Sequence, residues 1–159
     1  MAPYSRIEGV LHVIKRDHQR IVALLASLVS QPDPLLRWEI FDDLRRLLDA
    51  HARAERAAFY PLFGNDRLWS SALSADHEHG AIQAIVDELA ASRPLTTAWY
   101  ELSRQLRHQV ESHLASEESC LFDALRTSEQ PATLRMLGER MLQIHRGVPQ
   151  AAQPAAPSL

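Results

Sequence analysis

His51-Ala52-Arg53-Ala54-Glu55 and, 62 residues further on, His113-Leu114-Ala115-Ser116-Glu117 are the two stretches that decide how this chain folds. In an α-helix, residues four apart point the same way, so each His and its Glu share one face. The apolar neighbours are in phase with them. Leu44 and Leu106 stand seven residues before the two histidines, Phe59 and Leu121 eight after, and Tyr60 and Phe122 nine after. The repeat extends to the preceding segments. His18 is followed at offsets 3, 6, 7 and 10 by Ile21, Leu24, Leu25 and Leu28, and His79 at the same offsets by Ile82, Ile85, Val86 and Leu89. One helix pair therefore duplicates another, with four histidines and two glutamates on the faces that should form the core.

Helical spacing runs through nearly the whole chain, and no segment alternates with the period of two that a strand needs. A first helix is expected over about 5–30, broken by Gln31-Pro32-Asp33-Pro34, because proline cannot continue a helix and restricts the residue before it. A second carries Phe41, Leu44, Leu48 and Phe59, and ends near Pro61 and the turn Gly64-Asn65-Asp66. A third starts near Ser71 or Ser74, either a suitable N-cap, and stops at Ser92-Arg93-Pro94. A fourth spans about 95–126, and a shorter fifth follows Ser128-Glu129-Gln130-Pro131 with Leu134, Leu137, Met141 and Ile144. The fold class expected is all-α: an up-down antiparallel four-helix bundle with an additional short C-terminal helix packed across one end or side. The domain should cover 1–146, with an Ala, Pro and Gln-rich tail at 147–159 disordered.

Burying His18, His51, Glu55, His79, His113 and Glu117 without partners would cost several kcal/mol each. A single histidine on an apolar face is most often a core residue with one hydrogen bond, and one His-x-x-x-Glu pair arises by chance on many helices. Six such groups in phase on four helices leave two readings, a hydrogen-bonded polar network or a metal centre. The chemistry favours metal. Imidazole suits zinc, copper, iron and nickel, carboxylate suits harder ions, and the mixture suits iron. Two divalent ions match the charge of two glutamates plus a bridging oxide or hydroxide better than one ion matches six competing donors.

The pattern His, His-x-x-x-Glu, His, His-x-x-x-Glu, carried by Asp17-His18-Gln19-Arg20-Ile21, His51 to Glu55, Glu78-His79-Gly80-Ala81-Ile82 and His113 to Glu118, resembles the hemerythrin-like HHE cation-binding domains over roughly 8–127. The resemblance implies a non-haem di-iron centre, oxo- or hydroxo-bridged, with both glutamates bridging. It also carries departures. Oxygen-carrying hemerythrins have a second histidine one turn away on the third helix, where this chain has Ala75 and Gln83. Their fourth helix places its carboxylate five residues after the histidine, where this chain has Glu118. Glu117 is preferred as the ligand because it repeats Glu55, with Glu118 as the fallback. These departures argue against reversible oxygen carriage.

The remaining candidates read as ordinary. His77 lies about 200° round the helix from His79, His12 and His108 are off the core face, and His145 is read as an exposed residue of the last helix. Cys120 either borders the site or is a buried thiol, and Tyr60 either approaches the metals or caps the core, the second being preferred for each.

The totals bound the rest. A chain of 159 residues is one domain's worth, and its 46% hydrophobic residues can build a core without disulfides. The net charge of −3 offers no basic excess for nucleic acid. No apolar run approaches a membrane span and no signal peptide is evident, while a lone cysteine suits a reducing cytoplasm. The function expected is the handling of a small ligand (peroxide, oxygen or nitric oxide) at two irons with open positions, with redox turnover such as catalase-like peroxide breakdown. The alternatives are a sensor or store without catalysis, an iron donor for iron–sulfur repair, or a metal-free partner-binding bundle. Against the repair role, the first helix begins almost at once. The partners expected are the small-molecule ligand and, in a homodimer, a second copy of the chain.

Overall fold

The computed structural model describes residues 9–64, 68–92, 94, 96–128 and 131–147. The first helix, α1, spans Gly9–Ser30. Its expected first turn at 5–8 lies outside the described residues, as do Asn65 and Asp66 of one expected turn and residues 148–159 of the expected tail. Gly147 is the last residue of a helix rather than part of that tail.

Helix α2 spans Pro34–Ala54. Asp33 caps it, its carboxylate accepting the N–H groups of Leu35 and Leu36 at 2.9 and 3.0 Å. Pro34 costs nothing at the first position, where its missing N–H would lack a helical partner anyway. The helix then widens into a π-turn at Glu55–Phe59 and tightens into a 3-10 turn at Tyr60–Phe63. Helix α3 spans Trp69–Ala91. It begins earlier than expected, so Ser71 and Ser74 lie within it and neither is its cap. Helix α4 spans Thr97–Glu117, with the Thr96 hydroxyl accepting from Trp99 N–H at 3.2 Å. It too passes through a π-turn, Glu118–Phe122, into a short α5, Asp123–Ser128. The first π-turn opens at the Glu of its His-x-x-x-Glu and the second directly after it, and such bulges are common at functional sites. The fifth helix of the expected architecture is α6, Pro131–Gly147.

Topology follows from reach. Helices of 21 to 23 residues are about 30 Å long. The connections at 31–33, 64–68 and 92–96 can span at most roughly 17 Å. Successive helices must therefore run antiparallel. Contacts of α1 with α2 and α4, and of α3 with α2 and α4, close the ring of a four-helix bundle. Helix α6 lies along α1 and reaches α2 and the first π-turn. Its approach to α1 is close at Gly138, where an added Cβ would sit 2.7 Å from the Gly9 carbonyl oxygen and 2.8 Å from Val10 N.

The core is in two parts. One is built from Val10, Ile14, Phe59, Phe63 and Phe122 with Leu134, Leu137 and Met141 of α6. The other is built from Ile21, Leu25, Phe41, Leu48, Val86, Trp99 and Val110. On each of the four long helices the in-phase polar residues fall between the two, so a polar layer crosses the middle of the bundle. Among the described residues, no helix is long and apolar enough to cross a membrane.

Candidate metal centre

The duplicated pattern puts His18 on α1, His51 and Glu55 at the end of α2, His79 on α3, and His113 and Glu117 at the end of α4. All six side chains meet in the polar layer, none more than 6% exposed. They divide into two groups that share both carboxylates: His18, His51, Glu55 and Glu117, and Glu55, His79, His113 and Glu117. Within each group one donor atom per residue lies within 4.8 Å of the others, close to twice a metal–ligand bond of about 2.1 Å.

Glu55 straddles the groups. Its Oε1 is 3.1 Å from His51 Nε2, and its Oε2 is 3.2 Å from His79 Nε2. Glu117 turns a single oxygen toward both, Oε2 lying 3.5 Å from His18 Nε2 and 3.9 Å from His113 Nε2. The Nε2 atoms of His79 and His113 face each other at 2.9 Å. Every Nε2 thus points inward.

The outward ring nitrogens face a second set of groups, and hydrogen bonds from these fix how the rings of His18 and His113 are turned. His18 Nδ1 donates to Glu118 Oε1 at 2.8 Å, and His113 Nδ1 to Glu78 Oε2 at 2.8 Å. His51 Nδ1 lies 3.5 Å from Asp17 Oδ2. His79 Nδ1 is 3.4 Å from the Tyr60 hydroxyl, which donates to Glu117 Oε1 at 2.7 Å and stands 3.2 Å from Glu55 Oε2.

Four sequence readings change here. Glu118, the fallback ligand, turns instead to the outer nitrogen of His18. Tyr60 reaches the polar layer rather than only capping the core. Cys120 is exposed, not a buried thiol. His145 is half-buried, its Nε2 3.3 Å from Asp17 Oδ2. His12, His77 and His108 are exposed, as expected. Asp17 and Glu78 join the site as outer partners, and the sequence carries a signal for them. Each directly precedes a repeated histidine, and the two occupy equivalent places in the repeat.

The electrostatics are those of a tightly coupled cluster. Burial alone would lower the His51 imidazole, but the charge of Glu55, with Asp17 and Glu117, carries it up to about 10. Burial likewise works against His18, yet Glu117 and Glu55 bring it up to about 9. Burial would raise Glu55, and His51, His18 and His79 overcome that to hold it well below the usual carboxylate range. Burial and the two carboxylates push the Tyr60 hydroxyl far up, so it keeps its proton.

Even so, the cluster does not satisfy itself. His18 Nε2, His51 Nε2, Glu55 Oε1 and Glu117 Oε2 are buried, face one another, and have no aligned hydrogen-bond partner. Leaving such atoms unpaired costs about 1–3 kcal/mol each, more when charged. A cation among them would satisfy all four, and the donor set of imidazoles and carboxylates fits iron.

Comparison with known proteins agrees with this geometry. Residues 9–125 match the family model of the hemerythrin HHE cation binding domain. A curated relative from Nostoc sp., named DNA nickase, is 28% identical over 120 residues, which are 76% of this chain and 34% of that protein. The chain therefore spans about a third of the length of that relative. A solved structure, that of a hemerythrin HHE cation binding domain-containing protein from Mycobacterium kansasii, superposes with a TM-score of 0.76 at 24% identity, covering 87% of this chain and 85% of that one. At that identity the likeness concerns the fold.

Proposed function

The chain belongs to the hemerythrin HHE cation-binding domain family, and on that premise we propose that it is a non-haem di-iron protein that turns over a small ligand, with peroxide breakdown as the leading reaction. The observation that carries the reading is the pair of donor groups sharing Glu55 and Glu117, with buried donor atoms that no protein group satisfies. His18 and His51 would hold one iron, His79 and His113 the other, and the two glutamates both. When bound, such a pair of ions supplies two-electron redox chemistry toward peroxide or oxygen.

The chain's own groups do the rest. Glu78 and Glu118 fix the planes of His113 and His18, and Asp17 faces His51 from the outer side, so the donors are set before a ligand arrives. Tyr60 keeps its proton and donates a hydrogen bond to one oxygen of Glu117, fixing how that carboxylate is turned. With only two imidazoles for each ion, this donor set would leave room for a small molecule, as a reactive rather than a structural site requires. The missing histidine at Ala75 and Gln83 supports turnover over reversible oxygen carriage. A cytoplasmic setting fits the single cysteine. A nickase reading drawn from the Nostoc relative rests on a match to a third of that protein, and a net charge of −3 offers no basic excess for phosphates.

The test is metal analysis joined to peroxide kinetics. About two irons per chain, near-ultraviolet absorption of the ferric form and consumption of hydrogen peroxide are expected. Metal-free protein of full stability, or one tightly held zinc, would overturn the di-iron reading. An oxygenated spectrum that forms from the ferrous protein and reverts fully under vacuum would make the protein a carrier.

A further inference from the structure

Among the described residues, three cavities touch the polar layer, and one of them has no basic side chain on its wall. A cavity of about 330 Å³ beside Trp69 and Leu73 ends at Tyr60 and is largely apolar, with Arg56 and Asp76 paired across it. A second, of about 360 Å³, touches His79 but includes Arg56 on its wall. The third lies between α3 and α4 and holds about 100 Å³. Ser71, Ser74 and Ser116 offer hydroxyls, Glu78 and Glu117 carboxylates and Cys120 a thiol, Ala75 and Leu121 complete the wall, and among the described residues no lysine, arginine or histidine lines it.

Its two ends differ in exposure. Cys120 is exposed, and the Glu78 side chain is 34% exposed. Glu117 is 1% exposed, and its Oε2 is buried without a hydrogen-bond partner. The cavity therefore runs from the surface to a carboxylate that belongs to both donor groups. Oxygen and sulfur donors with net negative charge attract a divalent cation and repel anions, and hydroxyls can replace its water molecules one at a time.

We propose that this cavity is the loading port of the metal centre, through which a hydrated divalent cation passes from Cys120 past Glu78 to Glu117. The inference rests on the metal-binding reading above. It assigns Cys120 and the three serines to transit rather than to the resident site.

Cys120 is the only cysteine, so alkylating the folded, metal-free full chain with N-ethylmaleimide plugs one mouth and nothing else. Cobalt(II) uptake is then followed by stopped-flow absorbance, with final stoichiometry from metal analysis. The expected result is uptake at least tenfold slower after alkylation, reaching the same stoichiometry. Ser74→Phe, at an exposed position of the same mouth, should slow loading likewise. A double variant, Cys120→Ser with Leu73→Cys, carries its one thiol at the apolar cavity and should load at the normal rate after alkylation. Unchanged uptake after blocking Cys120, or slowing only when the thiol at the apolar cavity is blocked, overturns the port while leaving the metal centre standing. Failure of the unmodified chain to take up cobalt at all overturns the metal centre, and the port with it.

Discussion

Tyr60 donates its hydroxyl hydrogen to Glu117 Oε1 at 2.7 Å, joining the end of α2 to the end of α4 across the polar layer. The equivalent residue in the repeat is Phe122, whose ring instead stacks on His18 with centroids 5.9 Å apart. The six inner groups and the pair Asp17 and Glu78 obey the duplication, and Tyr60 breaks it. One carboxylate, Glu55, has an oxygen for each donor group, while Glu117 has one oxygen occupied.

Replacing Tyr60 by Phe removes this difference without opening a cavity. Metal content should stay within about twofold of the parent, because no donor is lost. Peroxide turnover should fall by about 10- to 100-fold, the usual loss when a group that orients a metal ligand is removed. Metal analysis and initial rates on the same preparation check this. A variant with parental turnover would reduce Tyr60 to a packing residue.

The inner donors should behave differently from the exposed histidines. His51→Ala, Glu55→Ala, His113→Ala and Glu117→Ala each delete a buried inward-facing group, and each should cut metal affinity at least tenfold. His77→Ala and His108→Ala, at exposed positions, should leave it unchanged. Competition with a chelator of known strength measures both sets. Loss of metal in His77→Ala with retention in His79→Ala would mean the register of α3 was misread.

Much of this was legible from spacing alone. The period of 3.6 and the proline breaks fixed the helices, and the doubled His-x-x-x-Glu fixed which faces turn inward, because residues four apart on a helix must share a direction. What spacing could not give was anything set by the turns. Two π-turns, one opening at Glu55 and one just after Glu117, each add a residue, which rotates the next segment about the helix axis. Tyr60 comes into reach beyond one of them, and Cys120 turns outward within the other. The contact of Asp17 with His145 depends on where α6 docks, which no pattern within α1 encodes.

Docking of α6 should itself be sensitive to one methyl group. Gly138→Ala places a Cβ against the backbone of Gly9 and Val10, where neither partner is a flexible side chain. The helices must separate, at a cost of about 1–3 kcal/mol for an overpacked contact. Denaturant unfolding should show that loss. It should be accompanied by weaker metal binding, since His145 approaches Asp17 and Asp17 approaches His51 from this side. Gly147→Ala, with open space around its Cβ, serves as the control and should be neutral.

The pH dependence of the metal-free protein has a definite sign. His18 and His51 ionise at about 9 and about 10 in the folded chain, against about 6.5 when unfolded. Between those values the folded state holds more protons than the unfolded one, so stability falls as pH rises. The contribution is whole below about pH 6.5 and is lost as pH passes through 9 to 10. Calorimetry of the metal-free chain should therefore show the melting temperature dropping steadily from about pH 6.5 to about pH 10. Metal reverses the sign, because an imidazole must give up its proton before its nitrogen can bind a cation. Loading near pH 7.5 should release protons from these two histidines, and apparent metal affinity should climb with pH up to about 9 to 10. Dye-monitored proton release during cobalt titration reads this directly. Titration without proton release would mean that His18 and His51 are already neutral before the metal arrives.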